Sequence, residues 1–387
     1  MRFVILFTLL LAVAAVPGSA AEPKASRAES KAPAGEDLFA TPKLLHFKIE
    51  LGAEALGSLR KDPKQYVKAT LHEGGKVYGD VGVRLKGSAP FGGIESKPGL
   101  AIKFNEFVKD QEFHGRGRIL LNNASQDPSY LCEALGGEIF RSAGVPAAKV
   151  TFAVVEISGK YLGLYVVSEA ANKDFLGQYF KKAKGNLYEG SNNDITDKLE
   201  KDGGDGATDQ ADLKALVNAL KVPDLAERWR RVTPLLDIER FAAFAAAEVL
   251  MGHHDGYTMD KNGYRVYHDP ASGRLVFLPH GLDQLFMKTD EPLIPDWKGM
   301  VAKAVLTTPN GQRQYMEKMA ALLAAGAKPE AVQREISNLS ALIRPALVER
   351  NTGAVKAFDD AVAKLRQNVT ARVAFIEQQL KSQAVAK

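Results

Sequence analysis

The sequence predicts an α+β fold, and three observations carry that prediction. Between residues 44 and 121, short stretches alternate apolar and polar residues, with Gly, Pro and Asp between them, which is the period of half-buried strands. At 129–143 the period switches to helical spacing and is ended by Gly144 and Pro146. From Asp237 onward helical patterning dominates, broken by one pair of short apolar runs.

Taken in order, the chain begins with an export signal. Met1-Arg2 is a short positive start, residues 3–16 are apolar without a charge, and Pro17-Gly18-Ser19-Ala20 adds a helix break and small residues. This predicts a Sec-type signal peptide over 1–20, cleaved after Ala20. The apolar run is short for a membrane span, and no cysteine follows it for a lipid anchor. A secreted or periplasmic, cell-surface protein with no stable membrane insertion after cleavage is expected. Residues 21–40, rich in Ala, Lys, Glu, Ser and Pro, read as a disordered linker.

Strands are expected at 44–51, 66–72, 77–85, 100–104 and 118–121, with Glu73-Gly74-Gly75-Lys76 as a hairpin turn. In the helix at 129–143, Leu131, Ala134, Leu135, Glu138 and Ser142 form one stripe. Strands at 150–157 and 161–167 follow, joined by Ser158-Gly159-Lys160. Residues 189–209 are Gly- and Asp-rich without EF-hand spacing and read as a solvated insertion. The segment 238–251 is apolar nearly all round, hence a buried helix. Strands at 264–268 and 275–278 and two or three amphipathic helices over 312–383 complete the pattern, with no internal repeat.

Composition narrows the function. A chain of 387 residues, 45% hydrophobic, can bury a large core. Its one cysteine, Cys132, excludes an intramolecular disulfide and reads as a small core residue. The net charge of +5 is spread among interleaved acidic and basic residues, so no basic block points to nucleic acid.

The chemistry concentrates at 252–286. A buried helix ends at Gly252, Asp255 follows in a loop, then Asn262, a hairpin, and Asp283 in a second loop. A carboxylate for an acceptor hydroxyl, an Asn, and a metal-binding Asp beyond a hairpin are the parts of a kinase site, in that order. Magnesium takes hard oxygen ligands, which a carboxylate and an amide oxygen supply. Two other readings stand beside it. His253, His254, His268 and His280 fall near Asp255, Asp269 and Asp283, as in a transition-metal hydrolase, although no HExxH spacing occurs. A non-catalytic surface protein is the other, because ATP is scarce outside the cytoplasm.

The motifs resemble the spore-coat protein H (CotH) kinase family. Those that carry the resemblance are Gly82-Val83-Arg84-Leu85-Lys86-Gly87-Ser88, Lys97-Pro98 with Lys103-Phe104, and Leu120-Leu121-Asn122-Asn123 with Asp127-Pro128-Ser129. Further along come Gly163-Leu164-Tyr165 with Glu169, Gly185-Asn186-Leu187-Tyr188, Asp255, Asn262-Gly263-Tyr264, and Pro279 leading to Asp283. One departure stands out: many members carry Pro-Trp-Asp-x-Asp where this chain has Pro279-His280-Gly281-Leu282-Asp283.

The resemblance implies an atypical protein-kinase-like, two-lobed fold. Its parts would be a β-rich N-lobe at 41–170, a mixed C-lobe at 171–300 and a C-terminal helical extension at 301–387. It also implies ATP- and Mg²⁺-dependent phosphoryl transfer to a hydroxyl of a protein substrate, with Asp255 as catalytic carboxylate and Asn262 and Asp283 as metal ligands. For the nucleotide the expected residues are Arg84, the Gly87-Ser88 loop, Lys97, Lys103, Glu138 and Glu169. The loop is either a phosphate cradle or an ordinary hairpin, and Lys103 and Lys97 compete as the phosphate lysine. Glu138 pairs with Lys103 or Arg84, or forms a structural ion pair. Glu169 contacts the adenosine or caps the next helix.

Overall fold

In the first strand, LLHFKIE, only the alternate residues Phe47 and Ile49 are buried, and this period of two sets the first layer of the fold. A computed structural model describes residues 36–87, 93–94, 96–348 and 352–385. The expected signal peptide at 1–20, linker residues 21–35 and Ser88 lie outside the described residues. The last part of the expected linker is structured: Glu36–Phe39 forms a helical turn (α1) with Leu38 and Phe39 buried.

Seven strands then close into a barrel. They are β1 (Leu44–Glu50), β2 (Val67–Glu73), β3 (Lys76–Lys86), β4 (Gly99–Lys103), β5 (Arg118–Asn122), β6 (Val150–Ile157) and β7 (Lys160–Glu169). Between them lie α2 (Ala53–Lys61) and α3 (Cys132–Ser142). The order is β1-β2-β3-β4-β5-β7-β6, and the parallel pairing of β1 with β6 closes the ring. Phe47, Ile49, Leu71, Val83, Ile102, Ile119, Val155 and Val167 fill its interior. Closure rests on a pairing between segments about 100 residues apart, which local patterning cannot show.

After α4 (Lys173–Tyr179), a second sheet forms from β8 (Leu187–Gly190), β9 (Glu200–Gly203), β10 (Tyr264–Asp269) and β11 (Arg274–Pro279), in the order β11-β10-β8-β9. The expected solvated insertion at 189–209 is thus corrected. It contributes strand residues, buries Ile195 and Leu199, and carries Asp194, which accepts from Tyr257 Oη at 2.9 Å and from the Met300 amide at 2.8 Å. Helices α5 (Ala211–Leu220) and α6 (Leu225–Val232) lead into α7 (Ile238–Met251). Asp237 caps α7, and Gly252 ends it at φ 57°.

Beyond the short α8 (Tyr257–Asp260) and the β10–β11 hairpin come α9 (Met300–Leu306), α10 (Pro309–Ala321), a π-helical turn at Leu322–Gly326, α11 (Pro329–Val348) and α12 (Thr352–Val385). Helices α10 and α12 both pack against α7 and share one hydrophobic core with it. Helices α10 and α12 therefore complete a core with α7 rather than extend from it. Among the described residues, no helix is long and apolar enough to cross a membrane.

Candidate active site

The ends of β3, β5 and β7 form one wall of a cleft, and β10, β11 and the loop after β11 form the other. Lys86, Gly87, Asn122, Glu133, Ser168, Glu169, Arg265, His280 and Asp283 line it. Its volume is about 190 Å³. That is below the roughly 300–1,000 Å³ of a typical small-molecule site. A larger ligand must therefore protrude past the rim or part the walls.

Lys86 is the last residue of β3, and its ammonium donates to Asn122 Oδ1 at 2.5 Å. The amide nitrogen of Asn122 donates in turn to both carboxylate oxygens of Glu133, at 2.6 Å each. Asn122 thus links a cation from the barrel to a carboxylate on α3. Burial lowers the Lys86 pKa, with Glu133 and Asp283 opposing that shift. Burial raises Glu133 to about 7, against the pull of Lys86. Asp283 is half-buried and makes no hydrogen bond among the described residues.

Across the cleft, Arg265 donates to Glu189 at 2.6 Å. Burial would raise the Glu189 pKa, but the Arg265 guanidinium holds it down at about 2. Burial, reinforced by Arg265, keeps His280 well below the ordinary histidine value, so it is neutral beside these charges. Glu133 and Asp283 face Lys86 and Arg265, an arrangement of fixed charge suited to an anionic ligand with a bound cation.

The loops carrying Asp255 and Asp283 are tied together. Gln284 Nε2 donates to Asp255 Oδ2 at 3.0 Å. His253, fully buried, donates from Nε2 to the Gly281 carbonyl at 3.0 Å. Glu248, fully buried on α7, accepts from the amides of Tyr257 (2.9 Å) and Thr258 (2.8 Å) and from Thr258 Oγ1 (2.6 Å). It thereby fixes the turn after Asp255. Gly263 sits between these loops at φ 56°, and a Cβ there would lie 2.8 Å from the carbonyl oxygens of Asp255 and His280.

The expected site residues divide. Gly87, Glu169 and Asp283 line the cleft; Asp255 and Asn262 are not among its lining residues, and Asp255 is tied to the Asp283 loop through Gln284. Asn262 Oδ1 accepts from the Asn192 amide at 3.2 Å, so that oxygen already has a donor. Glu169 neither caps a helix nor stands free. It pairs with buried Arg116 at 2.7 Å and accepts from the Lys149 amide and Gln178.

Lys103 lies outside the cleft. In the antiparallel register Lys86 faces Gly99 whereas Lys103 faces Gly82, four residues away. That is about 13 Å along a strand. There Lys103 pairs with Glu106 at 2.6 Å. Arg84 stacks on Tyr66 and donates to the Leu85 carbonyl. Lys97 donates to Tyr130 Oη at 3.0 Å and lies over the rings of Tyr130 and Tyr165, and burial lowers it to about 8.

Glu138 is corrected most plainly. Its side chain is 65% exposed and pairs with Arg141, not with Lys103 or Arg84. The buried stripe of α3 is Cys132, Leu135, Gly136, Ile139 and Phe140, one residue round from the expected one. One residue is about 100° on a helix, enough to turn Glu138 outward. The carboxylate that faces the cleft is Glu133, and its spacing from Gly136, Gly137 and Phe140 is the signal in the sequence that marks it. Lys86 and Asn122 lie inside the family motifs, and their role emerges only from the fold.

The histidine group expected of a hydrolase does not converge. His253 serves Gly281, His268 lies 3.1 Å from Asp212, His280 lies 3.8 Å from Glu189, and His254 is exposed. Among the described residues no three His, Cys, Asp or Glu side chains are placed to hold one metal ion.

The CotH kinase protein family model matches residues 83–382. Inner spore coat protein H of Bacillus subtilis (strain 168) is 23% identical over 192 residues, 46% of this chain and 52% of that protein. The chain therefore spans about half the length of that curated relative. Among solved structures, the Helicobacter pylori proinflammatory kinase CtkA aligns with a TM-score of 0.36 at 9% identity, over 69% of this chain and 92% of the other. A chain from the HipA, HipB and operator DNA complex of Shewanella oneidensis MR-1 aligns at 0.37 and 11% identity, over 87% and 74%.

Proposed function

This chain belongs to the CotH kinase protein family, and on that premise we propose that it transfers a phosphoryl group from ATP, with Mg²⁺, to a hydroxyl of a protein at the cell surface. The observation that carries the proposal is the Lys86–Asn122–Glu133 linkage in the same cleft as Asp283. A lysine ammonium held by an amide oxygen that a carboxylate on a neighbouring helix orients suits a nucleotide phosphate, because phosphoryl transfer is catalysed by positioning and charge. Such an arrangement belongs to a two-lobed kinase-like fold, with the barrel as the nucleotide-binding part.

The donor set fits Mg²⁺, which keeps several waters and needs only one or two carboxylates besides phosphate oxygens. Asp283 would hold it, and its charge would neutralise the phosphates. Asn262 would serve as a second ligand on releasing the Asn192 amide. Asp255, oriented by Gln284, would accept the hydrogen bond of the acceptor hydroxyl and take its proton as the oxygen attacks. Gly87, at the cleft rim, would let phosphate oxygens approach the main chain.

A second reading, a non-catalytic binding protein, draws on Gly281, which stands where many members carry Asp. The two are separated by titrating ATP with and without Mg²⁺ into the full chain and into Lys86→Met, then assaying radiolabel transfer to a generic protein acceptor. Mg²⁺-dependent binding lost in Lys86→Met, with transfer, supports the kinase reading. Binding without transfer supports the other, and no binding in the full chain removes both nucleotide readings.

A further inference from the structure

Helix α12 reaches the roots of both loops that carry the candidate carboxylates. Arg372 is fully buried, and its guanidinium donates to four main-chain carbonyls. Two are in the last turn of α7, Leu250 (from Nε, 3.3 Å) and Val249 (from Nη2, 2.6 Å). The other two are Glu291 and Thr289, both from Nη1 and the latter at 3.4 Å. Both carbonyls lie at the C-terminal end of α7, where the negative end of the helix dipole favours a cation, and Val249 also accepts from the Gly252 amide at 3.1 Å. Thr289 and Glu291 follow Asp283, so one planar side chain spans the segment leading to Asp255 and the segment leaving Asp283.

One turn earlier on the same face, Asn368 donates Nδ2 to the Phe286 carbonyl at 2.7 Å. Phe286 is in the left-handed region at φ 56°, and its own amide donates to the Met251 carbonyl at 2.6 Å. For a bulky residue that conformation costs about 1–2 kcal/mol and persists only where its surroundings enforce it. Further along, Gln379 accepts from the Leu293 amide at 2.7 Å. A buried charge is a costly way to fill a core, since apolar residues of similar volume commonly stabilise as well.

We infer that Arg372 and Asn368 are positioning residues of the active site, fixing the Asp255 and Asp283 loops relative to each other from α12. This rests on the proposed roles of the two carboxylates. In the whole chain, Asn368→Ala and Arg372→Lys are compared with Val369→Ala, which removes buried volume from the same helix without removing a hydrogen bond to either loop. Hydrogen exchange at residues 252–256 and 283–288 is measured with the Mg²⁺ dependence of ATP binding. The two clamp variants accelerate exchange in both loops by at least about tenfold and weaken the apparent Mg²⁺ affinity. Val369→Ala lowers Tm without the local effect. Equal acceleration in Val369→Ala, or loop protection unchanged in Asn368→Ala, overturns the inference. Should Arg372→Lys fail to fold, Asn368→Ala decides. If the parent chain binds no nucleotide, the functional reading falls while the exchange comparison still tests the clamp.

Discussion

His253 Nε2 lies 3.0 Å from the Gly281 carbonyl oxygen, and this hydrogen bond joins the turn before Asp255 to the turn before Asp283. The imidazole is fully buried, and its Nδ1 has no hydrogen-bond partner, with Glu248 Oε1 3.5 Å away. Replacing it with alanine removes that bond and leaves a cavity where a fully buried ring stood, which costs roughly 2–5 kcal/mol. His253→Ala is therefore expected to melt several degrees lower, and to bind Mg²⁺-nucleotide about tenfold more weakly. A thermal melt paired with calorimetric titration checks both effects. Full affinity in a destabilised variant would show that the bond serves the fold alone.

Lysine choice is the sharpest mutational test. Lys86→Met removes the ammonium that Asn122 and Glu133 orient, and nucleotide binding is expected to fall by a factor on the order of 10² or more. Lys103→Met breaks the pair with Glu106 and the contact over the Tyr66 ring, both at the far end of β4, so binding should stay within about twofold. Surface pairs of that kind contribute about 0–1 kcal/mol, so its Tm should barely move. The opposite ranking would return the phosphate role to Lys103.

Glu133 makes the cleft sensitive to pH. Burial raises its pKa in the folded state from 4.5 to about 7, so the folded protein binds its proton more tightly than the unfolded chain does. The stability from that proton is complete below about pH 4.5 and is lost as pH rises through about 7. Glu133→Gln keeps the shape without the titration. Its Tm relative to the parent should therefore rise between pH 5 and 8, read from melts in matched buffers. A difference independent of pH would mean that Glu133 is already ionised at pH 5.

Much of the fold is legible in the sequence because it is locally encoded. Strands β1 to β7, α3, α7 and the β10–β11 hairpin lie within two or three residues of where period and turn chemistry put them. Closure of the barrel through β1 and β6 is not legible, because it depends on distant segments meeting. The short helices α4, α5 and α6 escape the periodicity, as does the contribution of 189–209 to the second sheet. In the candidate site, the order of Asp255 and Asp283 along the chain puts them in two loops, which hydrogen bonds then tie together. Lys103 falls outside the cleft because register, not proximity in sequence, decides which end of a strand reaches it. The glutamate is misplaced by one residue of helical phase. Glu248, His253 and Arg372 go unassigned because each acts through main-chain groups that only the folded chain brings near.

Gly281 stands at the departure from the family pattern, and its surroundings would admit aspartate. It adopts φ 64°, and a Cβ added there would find Gly263 Cα as its nearest neighbour at 3.9 Å, so space is not the obstacle. Aspartate tolerates the left-handed region better than most residues, at about 1 kcal/mol. Gly281→Asp should therefore fold with a Tm only a few degrees lower. If the kinase is one ligand short, it should gain Mg²⁺ affinity and phosphoryl transfer over the parent. A well-folded variant with no gain would show that a second carboxylate there is not what limits the site.

The measurement closest to the central claim is ATP titration of the parent chain and Asp283→Ala across a range of Mg²⁺ concentrations. Asp283 is half-buried without hydrogen bonds among the described residues, so its loss should leave Tm nearly unchanged. The expected result is saturable binding in the parent that requires Mg²⁺, weakened at least about tenfold in Asp283→Ala, or roughly 1.4 kcal/mol. Equal affinity in the two proteins, or binding indifferent to Mg²⁺, would contradict a metal–nucleotide site in this cleft.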